Sequence, residues 1–531
     1  MYSLLVNPKT QALKNVGANW FGLATNLVIG FVLSPFILHR LGDDAFGLWI
    51  LVFSLTGYYG LFDFGIRSSI VQHVAKFATT GEEDRLLRFV NTSICTYGGI
   101  GLLLFLITIG GSFYVDVLFR IPPGFHSAAQ ILFLVVGTTV ALEFPLSVFA
   151  GVLEGLQKFN WLSLTQVVCN VLRALLIVFA LTHGGGLITI ALITGILSLA
   201  AYGVYVIGVR RQMPVRLGLN YVDRGSFHQM VSYSSITFIA IVASQLRLYS
   251  NATVIGIFIS SAAITYFSIG SKLVSYSANV TQSMSQIFTP MSSQFNAAGD
   301  VERLRMVFVQ GNRACALIVF PICAALIILG KTVIEVWVGA KYIPIGYTVL
   351  VLLIISDSTG MAQSASPKIL YGMAQHRTMA FVWLVEGLVN LILSIILLRS
   401  YGVIGVALGT MIPQLCTNLF FLPGHVCRLL RMRLGTFLRQ AYLAPLLLCV
   451  PLVGVLLLLQ HFVQAHAFLR LLIELATGGV VYGIGVLWFL LTKEQMGVEL
   501  RATWVQKRRH ALGIVNVVCG PKALQNELNG K

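Results

Sequence analysis

Charge is scarce in this chain: 10% of its 531 residues are Asp, Glu, Lys or Arg, against roughly 25% in a soluble domain. Acidic residues are the scarcest, 19 against 36 basic ones, for a formal net charge of +17. With 57% hydrophobic residues and a mean hydropathy of +0.84, a water-soluble fold is excluded. Cysteine is sparse as well. Of the 8 cysteines, Cys95, Cys169, Cys315, Cys323, Cys416 and Cys449 sit within apolar stretches, with no CxxC pair and no histidine at metal spacing. Neither disulfides nor zinc are expected. Walker A, HExxH and GxSxG motifs and a DxD pair at a membrane surface are all missing, so there is no nucleotide, metal or nucleophile chemistry to assign. The loops between apolar runs, about 20 residues at most, leave no room for a soluble catalytic domain. No enzyme activity, catalytic residue or metal is expected.

Long apolar runs dominate what is there. A span needs about 20 mostly apolar residues, and windows of that length give about fourteen candidates: 15–38, 46–66, 89–112, 128–150, 161–182, 187–209, 229–250, 255–290, 306–330, 346–370, 378–398, 402–427, 437–459 and 467–491. The eighth is dense in Ser and Thr, and Pro290 should kink its end. The polar start Met1–Asn15 carries no small-residue cleavage pattern, so no removable signal peptide is expected. An even number of spans puts both termini on one side. On that side fall 27 of the Lys and Arg residues; 6 fall on the other, and Arg173, Arg247 and Lys272 lie inside spans. Short basic loops are retained in the cytoplasm, so the termini are expected there. Topology alone accounts for the basic excess, and no nucleic-acid partner is needed.

The halves resemble each other at an offset of 216 or 217 residues. Gly155 matches Gly372, and Gly186, Ile188, Ala191, Leu192 and Thr194 match Gly402, Ile404, Ala407, Leu408 and Thr410, while Ala45 pairs with Ala262. An offset of six spans keeps the orientation, as in repeats related by an axis along the membrane normal. The expected architecture is an all-α polytopic membrane protein: a six-helix bundle over 12–210, a second over 226–428, two additional helices over 437–491 and a basic cytoplasmic tail over 492–531. The tail sequence RATWVQKRRHALGIVNVV suits either a helix lying on anionic headgroups or a solvated segment.

Ionisable residues inside spans are Asp63, Glu143, Arg173, Arg247, Lys272, Asp357, Glu386 and Glu474. Each costs about 2.5–3.5 kcal/mol at the bilayer centre on insertion scales, so they must face protein or water, and by default they mark a site or pathway. Arg247 and Lys272, on the first two spans of the second repeat, would attract an anion; alternatively each is neutralised by a resident acid, Arg247 for example by Asp63 or Asp357. Arg173 shares a stripe with Asn170 and Gln166 and could pair with Glu143 or Glu386. Glu386 and Asn390 make the corresponding stripe in the other half. Asp357 could take a coupling proton or sodium ion. Glu474 should reach water at the outer interface. The candidate transport residues are therefore Arg247, Lys272, Asp63, Arg173, Asp357 and Glu386. Gly405/Gly409 and Gly479/Gly483 form GxxxG pairs, read as packing within the bundle.

The end of the second span, FDFGIRSSIVQHVA, the turn GVLEGLQKFNWLSLTQ and the loop ALTHGGGLITIAL resemble the polysaccharide, O-antigen-type branch of the multidrug/oligosaccharidyl-lipid/polysaccharide flippase superfamily over about residues 12–491. The resemblance implies a multi-pass protein of the bacterial inner membrane. It would move an undecaprenyl-pyrophosphate-linked oligosaccharide from the cytoplasmic to the periplasmic leaflet by alternating access. Its partners would be that lipid-linked substrate, membrane lipids and the glycan polymerase and glycosyltransferases of the pathway. It also implies a cationic central cavity, with Arg247 and Lys272 as candidates to line it. The lipid II flippases of the superfamily carry arginines on the first span, where this chain has Asn19 and Asn26. A multidrug or cation antiporter of the same superfamily is the alternative. A membrane glycan polymerase or ligase would need larger outer loops.

Overall fold

The computed structural model describes residues 8–212, 218–233, 235–375, 377–463 and 466–491, and every regular element among them is helical. The basic tail after residue 491 and the side chain of Asn19 lie outside the described residues. The chain begins with α1 (Pro8–Leu41) and α2 (Asp43–Gly57), which runs on as a 3₁₀ turn to Asp63. Then come α3 (Ile66–Thr80), α4 (Glu83–Ser112), the single-turn α5 (Val115–Leu118), α6 (His126–Gly155), α7 (Phe159–Thr182) and α8 (Leu187–Gln212). The second half holds α9 (Arg224–Tyr233), α10 (Ser235–Phe258), α11 (Ser261–Ser285), α12 (Phe288–Ala297), α13 (Val301–Trp337) and α14 (Ile343–Ala362). It continues with α15 (Ala365–Gly372), α16 (Arg377–Tyr401), α17 (Val403–Leu415), a π turn at Cys416–Phe421 and α18 (Leu422–Leu429). Two further helices follow, α19 (Leu434–Phe462) and α20 (Ala467–Leu491). The chain divides into two compact units, one ending at Pro445 and one starting at Leu446.

Among the described residues, 13 helices are long and apolar enough to cross a membrane. The difference from the expected fourteen lies at α11. Its 25 residues reach about 37 Å at 1.5 Å per residue, more than the ~30 Å hydrocarbon core, but a stripe of Ser, Asn and Gln lowers its hydropathy. The expected span 255–290 is divided among the end of α10, all of α11 and the start of α12. Pro290 stands in the first turn of α12, where its missing N–H is tolerated, so it does not kink a span.

The repeat is visible in the element boundaries. α2 and α11 begin at Asp43 and Ser261, α3 and α12 end at Thr80 and Ala297, and α4 and α13 begin at Glu83 and Val301. α6 and α15 end at Gly155 and Gly372, and α8 and α17 begin at Leu187 and Val403, so the five separations are 218, 217, 218, 217 and 216 residues. Gln157 and Ala374, also 217 apart, both take positive φ (57° and 58°) as the chain leaves α6 and α15. The packing repeats as well. A Cβ on Gly155 would stand 2.9 Å from the Val71 carbonyl oxygen and from Val74 Cβ of α3; a Cβ on Gly372 would stand 2.6 Å from the Thr289 carbonyl oxygen of α12. The glycines of LEGLQ and LYGMA therefore let two helices touch backbone to backbone. Gly155→Leu and Gly372→Leu should each lower the thermal unfolding midpoint in detergent, at a cost of about 1–3 kcal/mol. Unchanged midpoints would show that these contacts do not stabilise the packing within each half.

Of the two GxxxG pairs, Gly405 and Gly409 pack on α16, a Cβ lying 2.3 Å from the Leu397 carbonyl oxygen and 2.5 Å from Ser394 N. Gly479 and Gly483 meet nothing within 4 Å; their neighbour Gly478 packs on Leu452 and Leu456 instead. Glu474 does not reach solvent from the protein surface. It is fully buried and pairs with Arg470 one turn earlier at 3.0 Å, because the longer arginine folds back over it.

Candidate functional site: a polar chamber beneath a closed end

Residues from five helices converge on one cavity, most of them at helical spacing. α10 contributes Ser244, Arg247 and Asn251, separated by three and four residues, which places them on one face. Along α11 the same spacing recurs in Ser268, Ser271, Ser275, Asn279 and Gln282. Asp357 of α14, Thr410 and Gln414 of α17, and Ile50 and Ser54 of α2 complete the lining. The cavity measures about 510 Å³, within the ~300–1,000 Å³ usual for ligand pockets. It is built chiefly by the second half, with α2 of the first half closing one side.

Arg247 dominates its charge. The guanidinium lies 3.4 Å from Asp357 and 4.0 Å from Glu386, and its side chain is 43% exposed against 22% and 7% for the two acids. Gln414 Nε2 donates to Asp357 Oδ1 at 2.7 Å. Thr410 Oγ1 donates to Asn251 Oδ1 at 3.3 Å, and Ser394 Oγ to Asn390 Oδ1 at 2.9 Å, behind the chamber wall. Of the two partners considered for Arg247, the structure supplies Asp357 and not Asp63, and adds Glu386. One cation facing two carboxylates leaves a surplus negative charge if both are ionised.

Lys272 takes a different direction. Its ammonium reaches Ser34 Oγ of α1 at 3.3 Å and lies 4.5 Å from the Phe46 ring centre of α2, and it is absent from the cavity lining. It fastens α11 to the first half instead. Asp63 and Arg173 belong to separate clusters. Asp63 accepts from the Tyr97 hydroxyl and, at 3.3 Å, from the Arg67 backbone N–H, while Arg67 pairs with Glu154 at 2.6 Å. Arg173 donates to Asn170 Oδ1 at 3.2 Å and Asn170 to Asn26 Oδ1 at 2.6 Å, tying α7 to α1. Glu386 is with Arg247, so it cannot serve as the partner of Arg173. Thus the segments FDFGIRSS and VLEGLQ meet through Arg67 and Glu154 and through Gly155 on α3. Both residues stand inside the quoted motifs, but their pairing across two helices is not legible from the motifs alone.

At the end of α2 opposite its 3₁₀ turn, the halves are joined tightly. Asp43 accepts from Lys341 and from the Tyr342 hydroxyl, each at 2.5 Å, and from the Tyr266 hydroxyl at 3.3 Å. Ser261 Oγ donates to Asp44 at 3.0 Å, Thr265 Oγ1 to the Asp43 carbonyl at 2.7 Å, and Trp337 Nε1 to the Phe31 carbonyl at 2.6 Å. Gly47 lies where α2 crosses α11: a Cβ there would stand 1.8 Å from the Ser261 carbonyl oxygen. One turn further on, Ile50 already lines the chamber.

At the other end a smaller cavity of about 250 Å³ shares Arg247, Asp357, Ala278 and Gln282 with the first and continues to Lys368 of α15, Trp383 of α16 and Asn418 in the π turn. The π turn frees the Asn418 carbonyl, which Gln363 Nε2 recovers at 2.6 Å; such turns often mark functional positions. Burial holds the Lys368 ammonium below the ordinary lysine range, as expected for a cation withdrawn from water without a carboxylate beside it.

The family described as "Polysaccharide biosynthesis protein" matches residues 37–346. The chain is 22% identical over 518 residues to the "Uncharacterized membrane protein EpsK" of Bacillus subtilis, covering 95% of this chain and 99% of that one. It is 20% identical over 408 residues to the "Putative O-antigen transporter" of Shigella flexneri, covering 75% and 93%. Its fold is that of the solved lipid II flippase MurJ in an inward closed conformation, with a TM-score of 0.68 at 18% identity over 90% of this chain and 98% of that one.

Proposed function

Given that the chain belongs to the family of polysaccharide biosynthesis proteins, we propose that it is a flippase rather than a catalyst. It moves an undecaprenyl-pyrophosphate-linked oligosaccharide from the cytoplasmic to the periplasmic leaflet. The observation that carries this reading is the polar chamber around Arg247, closed at one end by the Asp43–Lys341 contacts and continued at the other toward Lys368. A sugar headgroup cannot cross ~30 Å of hydrocarbon unaided. A chamber rich in Ser, Asn and Gln supplies the hydrogen bonds the sugars lose on leaving water, while the lipid tail stays in the bilayer. The two bundles, 12–210 and 226–428, rock about the chamber. The 27-to-6 partition of basic residues supports both termini being cytoplasmic in a bacterial inner membrane. Glycosyltransferases that build the glycan and a polymerase that extends it are the partners this role requires.

The surplus carboxylate beside Arg247 supports coupling to a proton or sodium ion. It is also the observation that favours the second reading, a cation or multidrug antiporter. Deleting the gene in its host separates the two. A flippase predicts loss of surface glycan and accumulation of the lipid-linked oligosaccharide with its sugars on the cytoplasmic face, with unchanged susceptibility to cationic drugs. Normal surface glycan with raised drug sensitivity would favour the antiporter.

A further inference from the structure

The chamber cation and the cation of the smaller cavity differ in one respect. Arg247 already faces Asp357 and Glu386, so an incoming anion meets a guanidinium that is fully answered. Lys368, half-buried on the single short helix between α14 and α16, makes no ion pair or hydrogen bond among the described residues. Trp383 stands across the same cavity, partly packed on the cluster formed by α13, α15 and α18. Gln282, Ser285 and Ser364 add hydroxyl and amide groups between them. Gly360 lets the Asn418 side chain pack close to α14, since a Cβ there would stand 2.7 Å from Asn418 Nδ2.

An unanswered ammonium withdrawn from water favours an anion that returns what desolvation removed. A phosphate group suits a lysine, which offers three donors on a compact charge. An indole offers the flat apolar face on which a sugar ring rests its C–H bonds, with its N–H left for a hydroxyl. Lys368 also lies on the terminus side of the chain, where the basic residues concentrate.

We propose that Lys368 and Trp383 form an entry subsite in which the ammonium holds the pyrophosphate and the indole carries the first sugar, before the headgroup advances to the Arg247 chamber. This rests on the flippase reading and names the first contact within it. On this assignment the anion is captured at the mouth, and the paired guanidinium deeper in the chamber serves the coupling carboxylates.

The test uses the full chain in nanodiscs and undecaprenyl pyrophosphate as probe, with binding followed for the wild type, K368Q, K368R and W383F. The subsite predicts that K368Q weakens binding about ten- to a hundredfold, the loss of a charge-assisted hydrogen bond, and that K368R retains most of it. With a glycan-bearing probe, W383F weakens binding further while leaving the sugar-free probe unaffected. Wild-type binding with K368Q equal to it would overturn the subsite and leave the flippase reading standing. No binding of either probe by the wild type would overturn both. If K368Q unfolds in detergent, comparison of K368R with the wild type still decides, since a packing role predicts no retention of binding by the bulkier arginine.

Discussion

Arg247→Glu is expected to abolish glycan export and Arg247→Ala to reduce it at least a hundredfold, the larger effect of charge reversal coming from three carboxylates placed together. The alanine variant should also lose about 2–3 kcal/mol of stability in detergent. Removing one partner of a buried pair costs about 3–5 kcal/mol because the remaining charge is left uncompensated, and the 43% exposure of the arginine side chain reduces this. Combining Arg247→Ala with Asp357→Asn should recover part of the stability and none of the transport, since the unpaired buried charge is removed while the chamber still lacks its cation. Thermal unfolding and export assays on the single and double variants check both halves of the expectation. Recovery of transport by the double variant would reduce Arg247 to a structural counter-ion.

Gly47→Leu is the second large effect. The Cβ position lies 1.8 Å from a backbone oxygen of α11, and backbone cannot move aside as a flexible side chain could. The closed end therefore cannot form, and the protein should be held open on that side. Transport should fall more than about tenfold, since a state raised by a few kcal/mol is depopulated by that much or more. A cysteine placed at Ser54, below the closure, should become reactive to an impermeant thiol reagent added on the side of the closed end in the leucine variant and not in its absence. Equal labelling with and without the substitution would mean the Asp43–Lys341 end is not a closure. Asp43→Asn tests the same contact more gently, removing one ion pair and keeping the hydroxyl contacts of Tyr266 and Tyr342.

Much of this was legible in the residues themselves. Apolar runs fixed the helices, because only length and hydropathy matter there, and the offset of 216 or 217 residues emerges again in element boundaries. The DFG and LEGLQ segments marked a real junction, but as helix packing through Gly155, Arg67 and Glu154, not as a cargo site. The α11 stripe Ser268, Ser271, Ser275, Asn279 and Gln282 was readable from its spacing, yet the span's low hydropathy obscured it. What periodicity cannot give is which way a charge turns between two helices. Lys272 and Arg247 lie on neighbouring spans with similar apolar flanks. One folds onto Ser34 and Phe46, and the other enters the chamber. Nothing in the local sequence marks Lys368, because its surroundings depend on α15 folding beside Trp383 and Asn418, which other helices supply.

Translocation in a defined membrane is the direct measure of a headgroup route through the chamber. The full chain would be reconstituted in vesicles whose inner leaflet holds an undecaprenyl-pyrophosphate oligosaccharide, and the sugars reaching the outer surface would be scored with an impermeant lectin. A headgroup route through the Arg247 chamber predicts lectin binding that grows with time for the wild type and stays at the protein-free level for Arg247→Gln. Equal appearance of sugar with either protein, or none above protein-free vesicles with the wild type, would contradict a headgroup route through the Arg247 chamber.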